Sequence, residues 1–338
     1  MRQRRARRRL AGIVALAATA WLGTAATPAL APAGPPTPHG MAVSPAPSAE
    51  HRYRIIGKLR LGLFSITRDD VGSARIAWRS DGPTSTLTLL VGSDPSRAPR
   101  GVNQWGYIRE EVHRADAGAQ VFSLRSLDGD DLTPDAAFGL GDGPLFGVSC
   151  SSFREGDVHN VQTTVKAKGV TYRMFNQLLE RLPDTSSWKE RRVQRPAGSE
   201  PGFLTALQDV IGQANGSRVG SPSTVTYVYN GTVYDLTLRS SRALGATTVG
   251  TRLFDRLTRS DLAIRNRTTG DITKFAVTHM PGHGGMPLPV QIFYRPNFWL
   301  SVELRLDGDA DVPADPEADD AVLARIHAIC ARGAASTR

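Results

Sequence analysis

The chain has 338 residues, 41 Lys and Arg against 32 Asp and Glu, and a formal net charge of +9. Six arginines fall in the opening MRQRRARRRL, so the rest carries only about +3, with Arg and Asp alternating and no basic patch interleaved with aromatics; that excludes a nucleic-acid binder. Two cysteines, Cys150 and Cys330, are too few for a disulfide-built scaffold, and their spacing suits neither a metal site nor a redox Cys-x-x-Cys.

The charged start is followed by the apolar AGIVALAATAWLG and then by small residues and prolines, the order of a secretory signal peptide. The apolar run is short for a membrane span. Ala31-Pro32-Ala33 places cleavage before Gly34, and Ala29-Leu30-Ala31 places it before Pro32. Residues 34–50, rich in Pro, Ala and Ser, read as an extended linker. Residues 51–333 are expected to form a single β-rich domain, long enough to bury a substantial core.

RYRIIGKLRLGLF (52–64) alternates Tyr53, Ile55, Leu59, Leu61 and Leu63 against Arg52, Arg54, Lys58 and Arg60, the period of a half-buried antiparallel strand. SARIAWRS repeats this with Ala74, Ile76 and Trp78 facing inward. STLTLLVG, after the turn signal Asp81-Gly82-Pro83, does so with Leu87, Leu89 and Val91. These three strands make a meander whose apolar side needs a cover. GVNQWGYIREEVHR and QVFSLRSL read as further strands, and 128–147, rich in Gly, Asp and Pro, as a long loop.

Helical spacing appears at 170–182, through Met174, Phe175, Leu178, Leu179 and Leu182. It recurs at 201–214, through Phe203, Leu204, Leu207, Val210 and Ile211. Both apolar stripes suit the open face of the sheet. A polar segment separates them, with Trp188 its only large apolar residue. YVYNGTVYDLTL (227–238) is a hairpin signal, because Asn230-Gly231 tolerates the positive φ that a type I′ turn requires. Strands follow in ATTVGTRLF, LAIRNRTTGDITKFAVTHM, LPVQIFYR and WLSVELRLD. The chain closes with a helix after Asp315-Pro316, whose stripe is Val322, Ile326, Ile329 and Cys330. In an oxidising compartment Cys150 and Cys330 would staple this helix to the β body; two buried free thiols are the alternative.

Chemistry is sparsely signalled. Asp307-x-Asp309-x-Asp311 opens like a calcium loop, but Val312 and Ala318 stand where that loop needs Gly and Glu. His279 and His283 flank Pro281-Gly282, which prevents a helix from aligning their rings. There is no nucleophile elbow, zinc-protease helix or phosphate-cradling loop. No catalytic residue, metal or cofactor is expected.

RIIGKLRLGLF, FLTALQDVIGQ, YVYNGTVYDLTL and MPLPVQIFYRPNFWLSVELRLD together resemble, over about residues 52–306, a family of secreted proteobacterial proteins of unknown function. The resemblance implies a fold like that of the periplasmic lipoprotein carriers, a mainly β (α+β) curved antiparallel sheet or half-barrel with helices on its concave side. It brings no catalytic residues. The expected function is that of an exported carrier holding a lipid or acyl chain between sheet and helices. Its lining would comprise Leu59, Leu61, Ile76, Trp78, Leu87, Leu89, Phe175, Leu178, Phe203 and Leu207. The alternative is a non-enzymatic envelope scaffold or assembly factor with envelope-protein partners, and a hydrolase comes third.

Overall fold

A computed structural model describes residues 48–61, 64–98, 102–113, 118–127, 145–154, 156–166, 171–182, 188–216, 222–281, 287–295, 300–307 and 316–336. The leader, the linker as far as Pro47, the 128–144 loop, His283, and the Asp309 and Asp311 positions lie outside these residues. The remainder of the expected linker is not loose: Ser48, Ala49 and Glu50 already pair with Arg79, Trp78 and Ala77.

The first half of the chain is a continuous meander of eight strands. They are β1 (Ser48–Leu61), β2 (Phe64–Asp81), β3 (Thr84–Ser93), β4 (Trp105–His113), β5 (Gly118–Leu127), β6 (Leu145–Arg154), β7 (Asp157–Lys166) and β8 (Lys189–Gln194). Helix α1 (Phe175–Arg181) lies between β7 and β8, and α2 (Phe203–Gly216) follows β8. The second half supplies β9 (Ser223–Tyr229), β10 (Thr232–Leu244), the small hairpin β11 (Thr247–Val249) and β12 (Arg252–Phe254), then β13 (Leu257–Asn266), β14 (Ile272–Pro281), β15 (Pro287–Tyr294) and β16 (Leu300–Leu306). Helix α3 (Pro316–Ser336) closes the described chain.

Fourteen of these strands form one curved, unclosed antiparallel sheet in the order β8-β7-β6-β5-β4-β3-β2-β1-β16-β15-β14-β13-β10-β9. The two meanders join where β1 pairs with β16, with Tyr53 opposite Leu306 and Leu59 opposite Leu300. The sheet edges, β8 and β9, are consecutive in the chain, and α2 lies in the segment that connects them. Among the described residues, one isolated bridge joins Glu200, in the segment after β8, to Tyr227 of β9.

The Asn230-Gly231 hairpin explains how the sheet stays curled. Both residues have positive φ, 49° and 66°, as the turn requires. Val228 and Val233, on the back of the hairpin, pack against Val121, Phe153 and Val158 from β5, β6 and β7. The turn itself lands on a polar nest. The Gln162 side-chain amide donates to the Asn230 carbonyl at 2.9 Å, and Ser123 Oγ donates to Asn230 Oδ1 at 2.8 Å. Beneath it, fully buried Asn160 donates to Ser149 Oγ and Ser151 Oγ, each at 2.8 Å. A side chain at position 231 would put its Cβ 3.1 Å from Arg191 Cδ, so the glycine also permits the close approach. One end of the sheet is thus tucked inside the other.

Helices cover both faces. The expectation that 170–182 and 201–214 share the concave side holds for α2 only. Strand pairing puts Tyr107, Phe122, Leu124, Phe146, Val148 and Cys150 on the opposite face, where they form a second core with α1 and α3. Phe175 of α1 stacks on Tyr107 with ring centroids 4.2 Å apart. The stripe of α3 docks beside it, and Cys150 and Cys330 lie at disulfide distance, with Cα atoms 5.6 Å apart. Edge strand β8 carries Lys189, Glu190, Arg191 and Arg192, all exposed. Such charges discourage a second sheet from adding at an open edge.

Candidate functional site

The concave face presents a large apolar surface, and α2 occupies it. Alternation along each strand sends Ile76, Leu87, Leu89, Ile108, Leu236, Val277, Ile292 and Leu304 to this side. Phe203, Leu204, Ala206, Leu207, Val210 and Ile211 of α2 meet them, each no more than 3% exposed. The ring of Phe203 lies 5.5 Å from that of Tyr227, which stacks on Tyr234 at 5.3 Å. The other side of α2 carries Thr205, Gln208, Asp209 and Gln213 and is half-buried or exposed. The helix is therefore amphipathic in use as well as in sequence.

Of the ten residues expected to line one cavity, eight fall on two opposite surfaces, Leu59 lies in neither core and the Leu61 side chain is not described. Ile76, Leu87, Leu89, Phe203 and Leu207 meet in the concave core, and Trp78 packs at its border. Leu59 is half-buried further along β1, opposite Ile66, which is 48% exposed. The Leu61 side chain lies outside the described residues. Phe175 and Leu178 do not join this group: they belong to the core on the opposite face. The physical reason is that β3–β7 bury both faces, so an apolar helix stripe alone does not reveal which side it will cover.

Glu110 is the central polar residue that sequence reasoning missed. It sits on β4 between Leu87 and Val121, wholly buried, with its carboxylate at the start of α2. It accepts from Leu204 N–H at 2.8 Å, Thr205 N–H at 2.9 Å and Thr205 Oγ1 at 2.6 Å. Burial pushes its pKa up, and these hydrogen bonds oppose the shift. A signal was present. Pro201-Gly202 provides no capping side chain for the helix that follows, so a capping group had to come from elsewhere.

A second polar group lies deeper in β13 and β14. His279 Nε2 is 3.1 Å from Ser260 Oγ, which is 3.4 Å from Ser241 Oγ. Ser260 and His279 are both fully buried, so this pair is closed to substrate as it stands. Burial depresses the His279 pKa to about 4, against 6.5 for an unperturbed ring. The unfolded chain therefore binds this proton more tightly, and stability should fall as pH drops from 6.5 to 4. The shift corresponds to a loss of about 3 kcal/mol. Urea titrations across this range should show that slope, and His279→Phe should flatten it. Among the described residues no three His, Cys, Asp or Glu side chains gather as metal donors, and no helix is long and apolar enough to cross a membrane.

Together these features define an open, curled antiparallel sheet with a single amphipathic helix in its concavity. No protein-family model, curated protein or solved structure matches the chain.

Proposed function

We propose that the protein is an exported, non-enzymatic carrier for an apolar chain, a lipid or fatty acyl group, which takes the place of α2 on the concave face. The observation that supports this most is the division of labour within α2. One side meets a continuous apolar surface contributed by strands from both meanders, while the other is polar and reaches solvent. Such a helix can leave and return without exposing polar groups to an apolar interior. The signal-like leader and the Cys150–Cys330 pair agree with an oxidising compartment.

The envelope-scaffold reading has its own support. The α2 side chains facing the sheet are so completely buried that the concave face is already filled. Native mass spectrometry of the protein recovered from the periplasm, with lipid extraction of the same sample, separates the two. The carrier predicts a discrete lipid adduct and saturable binding of a fluorescent fatty acid. Bare protein that binds no such probe favours the scaffold.

A further inference from the structure

A helix usually carries its own cap, a Ser, Thr, Asp or Asn just before the first turn, so that its free N–H groups are satisfied wherever the helix goes. Helix α2 does not. Gly202 precedes it, and the cap is supplied by Glu110, 94 residues before Leu204 in the sequence. The glycine is what admits the carboxylate: a Cβ at 202 would lie 2.2 Å from Glu110 Cδ. A cap that belongs to the sheet works only while the helix is seated. Docking and helix integrity are therefore tied together through one side chain.

Glu110 is flanked on the sheet by Leu87 and Val121. The titratable groups that sense it are Glu200, on the segment entering α2, and Tyr227 and Tyr229 on β9; Asp209 and Arg195 act on Glu200, and Arg125 on Tyr229. While α2 is seated, the carboxylate is satisfied by its first turn and by the positive end of the helix dipole. With α2 lifted, water reaches the carboxylate and hydrates it fully. Lifting α2 thus exchanges these bonds for water, and an apolar chain seated in its place would cover a carboxyl that burial favours in its neutral form.

We propose that Glu110 is the latch of a movable α2, holding the helix in the concave face and releasing it as a unit. This rests on the carrier reading, in which an apolar chain replaces the helix. The test is amide hydrogen exchange on the full-length protein, comparing wild type with Glu110→Gln, Glu110→Ala and Thr205→Val, alongside titration with a fluorescent fatty acid. Exchange at residues 203–211 should rise about 10–100-fold in Glu110→Ala, with smaller rises for the two milder variants, while amides of β4 and β5 keep wild-type protection. Fatty-acid binding should tighten in the same order. If exchange in α2 rises only together with that of the sheet strands, Glu110 is an ordinary element of one cooperative core and the latch is wrong. Thr205→Val guards against a Glu110 variant that fails to fold, because it removes a single bond of the three. Selective opening of α2 with no fatty-acid binding by any variant would keep the latch and overturn the carrier.

Discussion

Truncating Leu207 to alanine should lower the free energy of unfolding by about 2–5 kcal/mol, the range for a buried leucine whose surroundings relax only in part. Leu207 has no exposed surface and sits at the middle of α2, in the concave core. A lining side chain in a vacant ligand cavity would cost less, because its neighbours would already be loosely packed. Leu178→Ala is the companion measurement on the opposite face, where Leu178 is 4% exposed. The two losses should be similar if α2 is as firmly packed as α1. A loss below about 1 kcal/mol at Leu207 alone would mark the concave face as the looser of the two. Leu207→Trp adds a further arm. Overpacking should destabilise by about 1–3 kcal/mol, and in the carrier, where an apolar chain displaces α2, the weaker seating of the helix should ease uptake of a fluorescent fatty acid. Urea unfolding followed by circular dichroism reads all three.

Removing the Cys150–Cys330 bond should have an effect at least as large. The two residues are separated by 180 positions, and closing so long a loop restricts the unfolded chain by about 5 kcal/mol in the chain-entropy treatment, an upper figure. Other ties of α3 are modest. His327 meets Glu111 at 3.0 Å and Arg79 meets Asp320 at 2.9 Å, and the exposed partner in each pair weakens the contribution. The apolar stripe of Val322, Ile326 and Ile329 adds packing against the second core. Cys150→Ala with Cys330→Ala should therefore lower the thermal midpoint, and reduction of the wild type should reproduce the shift. Two reactive thiols in freshly purified, denatured protein would show that the bond does not form.

Strands with one wet face were legible in the sequence. β2 and β16 alternate, with Arg75 and Arg79 or Glu303 and Arg305 taking turns with apolar side chains, and β3 alternates Leu87, Leu89 and Val91 with Thr86, Thr88 and Leu90. The Asn230-Gly231 turn was equally plain, because its backbone demand is local. Missed were the strands β6 and β7, and the cause is visible in Ser149, Ser151, Asn160 and Gln162. They point inward yet are polar, because they receive a turn rather than an apolar side chain. Nor did β8 read as a strand, since an open edge places charge where alternation expects apolar residues. For the candidate site, alternation placed Ile76, Leu87 and Leu89 on the face where the concave core lies, whereas Glu110 was hidden within Arg109-Glu110-Glu111. Its role depends on a helix far along the chain, a relation that no local pattern encodes.

The junction of β1 with β16 has a kinetic consequence. Within the sheet every other strand pairing joins neighbours in the meander, closing short loops apart from the excursions at β11–β12 and before β6 and β8. This one joins residues 53–59 to residues 300–306. Each meander can form from local contacts, but until the last strand is available β1 keeps one long side unpaired. An unfinished chain would thus display a sticky template for other chains. Non-local pairing of this kind slows folding. The pairing of β1 is thereby deferred until residues 300–306 have been made.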